Sequence, residues 1–190
     1  MTAQDRLWPK QVAPQGRTLL ASTANEQGRT GDGERLARQA VEELRGTNQP
    51  SCEVNAHVAL IEALLSEGRL GEAQTIVESA RKLAEQSSNL ETRLSVAVAD
   101  AKVRAASGKL DEAAKILARA LQQAREPRYL DSELNASLAL AEVEIKSGQR
   151  AVAVRRLNGL EKKARARGLL YYANKAAALK KQEKSTLPGS

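Results

Sequence analysis

Four glycines recur at one interval: Gly28, Gly68, Gly108 and Gly148 stand 40 residues apart each time. Other columns keep the same spacing. Ala73, Ala113 and Ala153 follow the last three glycines by five residues. Ala40, Ala80 and Ala120 follow the first three by twelve, and Leu160 takes that place in the fourth. Leu90, Leu130 and Leu170 form a further column. Self-similarity at this period predicts a stacked array, in which each unit buries its apolar face against the next.

Each period reads as two helices. In the third unit, Leu94, Val96, Val98, Ala101 and Ala105 give residues 90–106 an apolar stripe at helical spacing. Gly108 supplies a left-handed turn. Asp111 and Glu112 open the second helix, where carboxylates suit the positive end of the helix dipole. Ile116, Leu117, Ala120, Leu121 and Ala124 form its apolar face, and Glu126-Pro127 ends it. The second unit repeats this with Val58, Leu60, Ile61, Leu64 and Leu65, then Ile76, Val77, Ala80 and Leu83. The fourth does so with Leu134, Leu138, Ala141 and Ile145, then Val152, Leu157, Leu160 and Ala164.

The expected organisation is an irregular arm at 1–16 and repeat units at 17–46, 51–87, 90–127 and 130–168. A capping helix at 169–183 and a frayed tail at 184–190 complete it. The cap is needed to cover the last apolar face. Ser51, after Gly46-Thr47-Asn48-Gln49-Pro50, is a candidate helix N-cap. The first unit is the weakest, with a short first helix at 18–27 and Gly33 in the alanine column. Such an abrupt start is what a region detached from a longer regulator would show.

Composition narrows the chemistry. Aromatic residues are 2% of the chain, with no Phe, so the core must be built from Ala, Leu, Val and Ile. That suits close helix packing and suits a β-sandwich poorly. One Cys and one His leave no disulfide framework and no Cys- or His-based metal site. No metal and no cofactor are expected. No apolar run reaches the roughly 18 residues of a spanning helix. Residues 1–20 lack the apolar core of a secretory signal. The expectation is a cytoplasmic protein that does not engage membranes.

The turn and second-helix pattern resembles the tetratricopeptide repeat. Gly68-Arg69-Leu70-Gly71-Glu72-Ala73 and Gly108-Lys109-Leu110-Asp111-Glu112-Ala113, each followed by Ala80 or Ala120, match the family's turn and its two close-packing alanines. Gly148-Gln149-Arg150-Ala151-Val152-Ala153 keeps the Gly and Ala but lacks the acidic pair. The family's first-helix aromatic is absent: His57, Ala97 and Ser137 stand there. The usual period is 34 residues, so 40 is long. Long-period units of this type resemble regions attached to bacterial signalling kinases and transcription regulators. The resemblance implies an all-α, right-handed superhelix of antiparallel helix pairs, acting as a non-catalytic scaffold for a protein or peptide.

By register with that family, the concave groove comprises Asn55, Val58, Glu62 and Leu65 in the second unit. Ser95, Val98 and Lys102 follow in the third, with Asn135, Leu138, Glu142, Ile145 and Lys146 in the fourth. Two readings stand side by side: these residues hold an extended segment or partner helix, or the apolar ones are ordinary core of a self-filled superhelix.

A competing surface lies at the C-terminal end. From Lys146 onward there are 12 Lys and Arg against 2 Asp and Glu; the remainder holds 18 against 21. Arg155, Arg156, Lys162, Lys163, Arg165, Arg167, Lys175, Lys180 and Lys181 could grip nucleic acid or another acidic partner, with Tyr171 and Tyr172 beside them. The bland alternative is a solvated charged face. Catalysis finds little support. Cys52 and His57 are five apart and would not quite share a helix face. Gly28-x-x-Gly31-x-Gly33 lacks the order and the preceding strand of a phosphate loop. The acidic pairs Glu42-Glu43 and Asp111-Glu112 read as solvated surface.

Overall fold

The computed structural model describes residues 13–185. Among them are nine α-helices and no strand: α1 (Pro14–Glu26), α2 (Thr30–Leu44), α3 (Pro50–Ser66), α4 (Leu70–Glu85), α5 (Leu90–Ala106), α6 (Leu110–Gln123), α7 (Leu130–Lys146), α8 (Arg150–Ala166) and α9 (Leu170–Ser185). A 3-10 turn, Pro127–Tyr129, precedes α7. The fold is all-α, as the periodicity predicts. Residues 1–12 of the expected arm, and 186–190 of the expected tail, lie outside the described residues.

The two helices of each pair are joined by a turn of one design. At Gly68, φ is +73°, and the N–H of Arg69 reaches back to the carbonyl of Leu64 at 2.9 Å. This is a helix C-terminus closed by a left-handed residue, a conformation glycine adopts without steric cost. The same bond recurs as Arg29 to Ala24, Lys109 to Arg104 and Gln149 to Glu144. It appears again twenty residues on, where Leu169 reaches Ala164 after Gly168 at φ +70°. The last helix is therefore joined by the turn used inside the pairs.

The chain divides into two compact units, Met1–Ala99 and Asp100–Ser190, with the boundary inside α5. In the first unit, α1 packs on α2 and α3, α2 on α3, and α3 on α4. Leu36, Ala40, Val41 and Leu44 of α2 are buried, as are Val54, Leu60, Ile61 and Leu64 of α3. In the second, α6 packs on α7, α7 on α8 and α8 on α9. One cluster there joins Leu134, Leu138 and Ala141 of α7 with Leu157, Leu160 and Ala164 of α8 and Tyr172, Ala173 and Ala176 of α9. The small alanines let helix axes approach closely, which is how a core without Phe is filled.

Three local expectations are corrected. The first helix starts at Pro14 rather than at residue 18, because the first helical turn tolerates a residue without an N–H. Ser51 is no cap: α3 begins at Pro50, and Ser51 Oγ accepts a hydrogen bond from Thr92 Oγ1 at 2.9 Å. The acidic pairs are not merely solvated. Glu43 takes Arg17 of α1 at 2.8 Å, and Glu112 pairs with Arg104.

Candidate partner-binding surfaces

The first-helix rows come first. On α3, Asn55 is exposed, and Val58, Glu62 and Leu65 are half-buried. On α5, Ser95 and Lys102 are half-buried and Val98 is buried. On α7, Asn135, Glu142 and Ile145 are half-buried, Lys146 is exposed, and Leu138 retains 7% exposure. Leu138 belongs to the α7–α8–α9 cluster, and Ile145 packs against it. The row is thus split by the geometry of a helix: positions three and four apart share a face, but its edge turns inward toward the next helix. Asn55, Glu62, Ser95, Lys102, Asn135, Glu142 and Lys146 are the polar groups the rows keep at least partly open.

The basic candidates divide in two. Arg156 is held by Glu144, its Nε at 3.0 Å and a terminal nitrogen at 2.7 Å. Lys163 reaches Glu133 of α7 at 2.6 Å. Glu161 accepts Lys180 at 2.6 Å and Arg165 at 2.9 Å, and these two cations hold its carboxyl below the usual range despite some desolvation. Lys175 stands over the Tyr171 ring at 5.5 Å. Tyr172 is buried, and its hydroxyl donates to Asp131 at 2.9 Å. Arg155, Lys162, Arg167 and Lys181 are exposed and have no carboxylate partner among the described residues.

Cys52 and His57 each face other groups. Cys52 is half-buried and faces Gln15 Nε2 at 3.9 Å. His57 is 5% exposed, with Nδ1 at 2.9 Å from the Glu53 carbonyl oxygen. Burial lowers its pKa, and the contact with Glu53 opposes that only in part. Among the described residues, no group of three His, Cys, Asp or Glu side chains could hold a metal ion. No helix described is long and apolar enough to cross a membrane.

Two constellations were missed by the sequence reading. Arg69 bridges Glu34 of α2 at 2.7 Å, Glu67 at 3.0 Å and Glu72 at 2.7 Å, and Arg38 adds bonds to Glu34 and Glu72. Burial pushes the Glu34 carboxyl up, but bonds from Arg38 and Arg69 outweigh it and the net shift is downward. The second is Asn25, whose Nδ2 donates to the Ala59 carbonyl at 2.8 Å while its buried Oδ1 has no hydrogen-bond partner. Both lie inside the first unit and join α2 with α4, or α1 with α3.

Paired helices, a left-handed glycine turn and alanine contacts at fixed offsets define a TPR-like repeat fold. The comparisons agree. The structure is similar to the apo form of RapI, with a TM-score of 0.64 and 12% identity over 92% of this chain. The chain spans 64% of RapI's length. It is also similar to a putative kinesin light chain with TPR-like repeats from Podosopora anserina. That match has a TM-score of 0.56 and 18% identity and covers 90% of both chains. A point variant of that protein matches at the same score and identity, covering 92% of this chain and 91% of its own. No protein-family model and no curated protein matches the sequence.

Proposed function

We propose that the chain is a non-catalytic interaction module that holds a peptide or partner helix on the first-helix side chains of its repeats. The observation that supports this is the TPR-like fold, which is typically a protein-interaction module and usually non-catalytic. Solenoids of helix pairs offer extended surface rather than a closed site for chemistry. The polar members of the rows suit such a role. An Asn side chain can donate to and accept from a peptide backbone at once, and Asn55 and Asn135 occupy the same place in α3 and α7. Val58, Leu65 and Ile145, half-buried beside them, supply apolar contact. The long period further suggests the sensor or adaptor region of a cytoplasmic bacterial regulatory system.

Affinity capture from native lysate tests the reading, with the wild-type chain beside a Glu62→Lys, Lys102→Glu, Glu142→Lys variant. The expected result is a protein retained by the wild type and lost from the variant, whose purified form then binds the wild type directly. Identical retention by both chains contradicts the groove.

A further inference from the structure

We infer that the outer face of α8, with the adjoining edge of α9, is a docking surface for a nucleic-acid phosphate backbone, bound without regard to base sequence. Arg155 and Lys162 are seven residues apart on α8, which places both on one helix face. Between them stands Gly159, exposed, where an added Cβ would meet nothing within 4 Å. The ridge therefore dips where a backbone would pass, with a cation on either side. Lys180 ties α9 to this stretch, donating to Asn158 at 2.8 Å and Glu161 at 2.6 Å. The exposed Lys181 follows it directly. Arg165 closes the row on α8, and Arg167 lies exposed in the turn beyond.

The local charge balance decides what such a face accepts. Glu161 is the only carboxylate on α8, and Lys180 and Arg165 both bind it. Arg155, Lys162, Arg167 and Lys181 have no carboxylate partner among the described residues, so binding a polyanion breaks no existing pair of theirs. An α8 of 17 residues runs about 25 Å, room for several consecutive phosphates. An acidic peptide fits less well. Peptide affinity rests on a few large side chains seated in pockets, and the exposed α8 positions carry only Arg, Lys, Asn, Gly and Ala. Among the described residues the exposed large apolar side chains are Leu19 on α1 and Leu170 and Tyr171 in the first turn of α9, and none stands on α8. Phosphate binding needs no such anchor and draws on counterion release.

The test is fluorescence anisotropy with labelled oligothymidylate of about 25 nucleotides and a duplex of similar length, at about 50 mM salt. Arg155→Glu, Lys162→Glu, Lys181→Glu is compared with a variant of equal net charge reversed elsewhere, Arg45→Glu, Lys82→Glu, Arg119→Glu. Circular dichroism checks helix content, and the milder Arg155→Gln, Lys162→Gln, Lys181→Gln serves where reversal disturbs the fold. The expected result is roughly tenfold or greater weakening by the face variant, little change in the control, and a salt slope shallower by about 2 for single strands. Absence of binding by the wild type overturns the inference. So does equal weakening by both variants, or tighter binding of polyglutamate than of DNA. This surface is separate from the first-helix rows, so either reading can fail alone.

Discussion

Asn25 and Gly33 occupy one space. A Cβ built on Gly33 would stand 1.8 Å from Asn25 Oδ1 and 3.1 Å from the Ala21 carbonyl oxygen. Elsewhere the same two columns hold Leu65 with Ala73, Ala105 with Ala113, and Ile145 with Ala153. The first unit departs in both at once: a polar side chain enters the column, and its neighbour surrenders its Cβ to admit it.

A double-mutant cycle tests this. Gly33→Ala alone should destabilise by about 1–3 kcal/mol, because overpacking outweighs the helix propensity gained. In an Asn25→Ala background the same change should stabilise by about 0.5–1 kcal/mol, since the pair then matches Ala105 and Ala113. Urea unfolding midpoints of the four proteins read the coupling. Equal effects of Gly33→Ala in both backgrounds contradict the shared space.

Glu144 and Arg156 form a second paired departure, standing where the second unit has Leu64 and Ile76. Glu144 is buried, while the Arg156 side chain keeps 27% exposure. Arg156→Ala strands the carboxylate and should cost about 2 kcal/mol, less than the ~3–5 of a fully buried pair. Glu144→Leu with Arg156→Ile should be close to neutral or stabilising. Chemical denaturation of both variants checks the order. A double variant less stable than the single contradicts it.

His57 makes stability depend on pH. Its folded pKa lies below 6.5, with burial the main cause. The unfolded chain then binds more protons than the folded one as pH falls through about 6.5, so the stabilisation is complete above that value and is lost below it. Denaturation midpoints should fall between about pH 7.5 and 5.5, and His57→Leu should flatten that dependence. An unchanged slope in the variant assigns the effect to other groups.

Tyr172 anchors the last helix, with its ring in the α7–α8–α9 cluster and its hydroxyl on Asp131. Tyr172→Phe should cost about 1 kcal/mol and Tyr172→Ala about 3–5 kcal/mol. Hydrogen exchange should show the loss concentrated in α9 amides. Uniform loss through the chain contradicts a local anchor.

The helix pairs were legible because their determinants are local. Gly68 and Gly108 mark left-handed turns whatever surrounds them, and alanines at fixed offsets declare close helix packing. The Asn25–Gly33 and Glu144–Arg156 pairs are different. Each partner is unremarkable alone, and their complementarity exists only after two helices meet. A signal was present for the first pair, since both of its columns depart together in the first unit, but not for the second, whose first column already holds Arg104 beside an unchanged Ile116. The basic end was visible as charge, but which cations are neutralised depends on Glu133, Glu144 and Glu161 reaching across helices. Sequence spacing does not state that. The first-helix rows proposed as a partner surface show polar and apolar alternation in the sequence, while the depth of Leu138 follows from α8 and α9 closing over it.

First-helix side chains are the proposed partner surface of this TPR-like chain. Amide chemical-shift mapping with the captured partner tests it most directly. Perturbations should concentrate at Asn55, Glu62, Asn135 and Glu142 and their neighbours on α3 and α7. Perturbations confined to the outer faces of α4, α6 or α8 would contradict it.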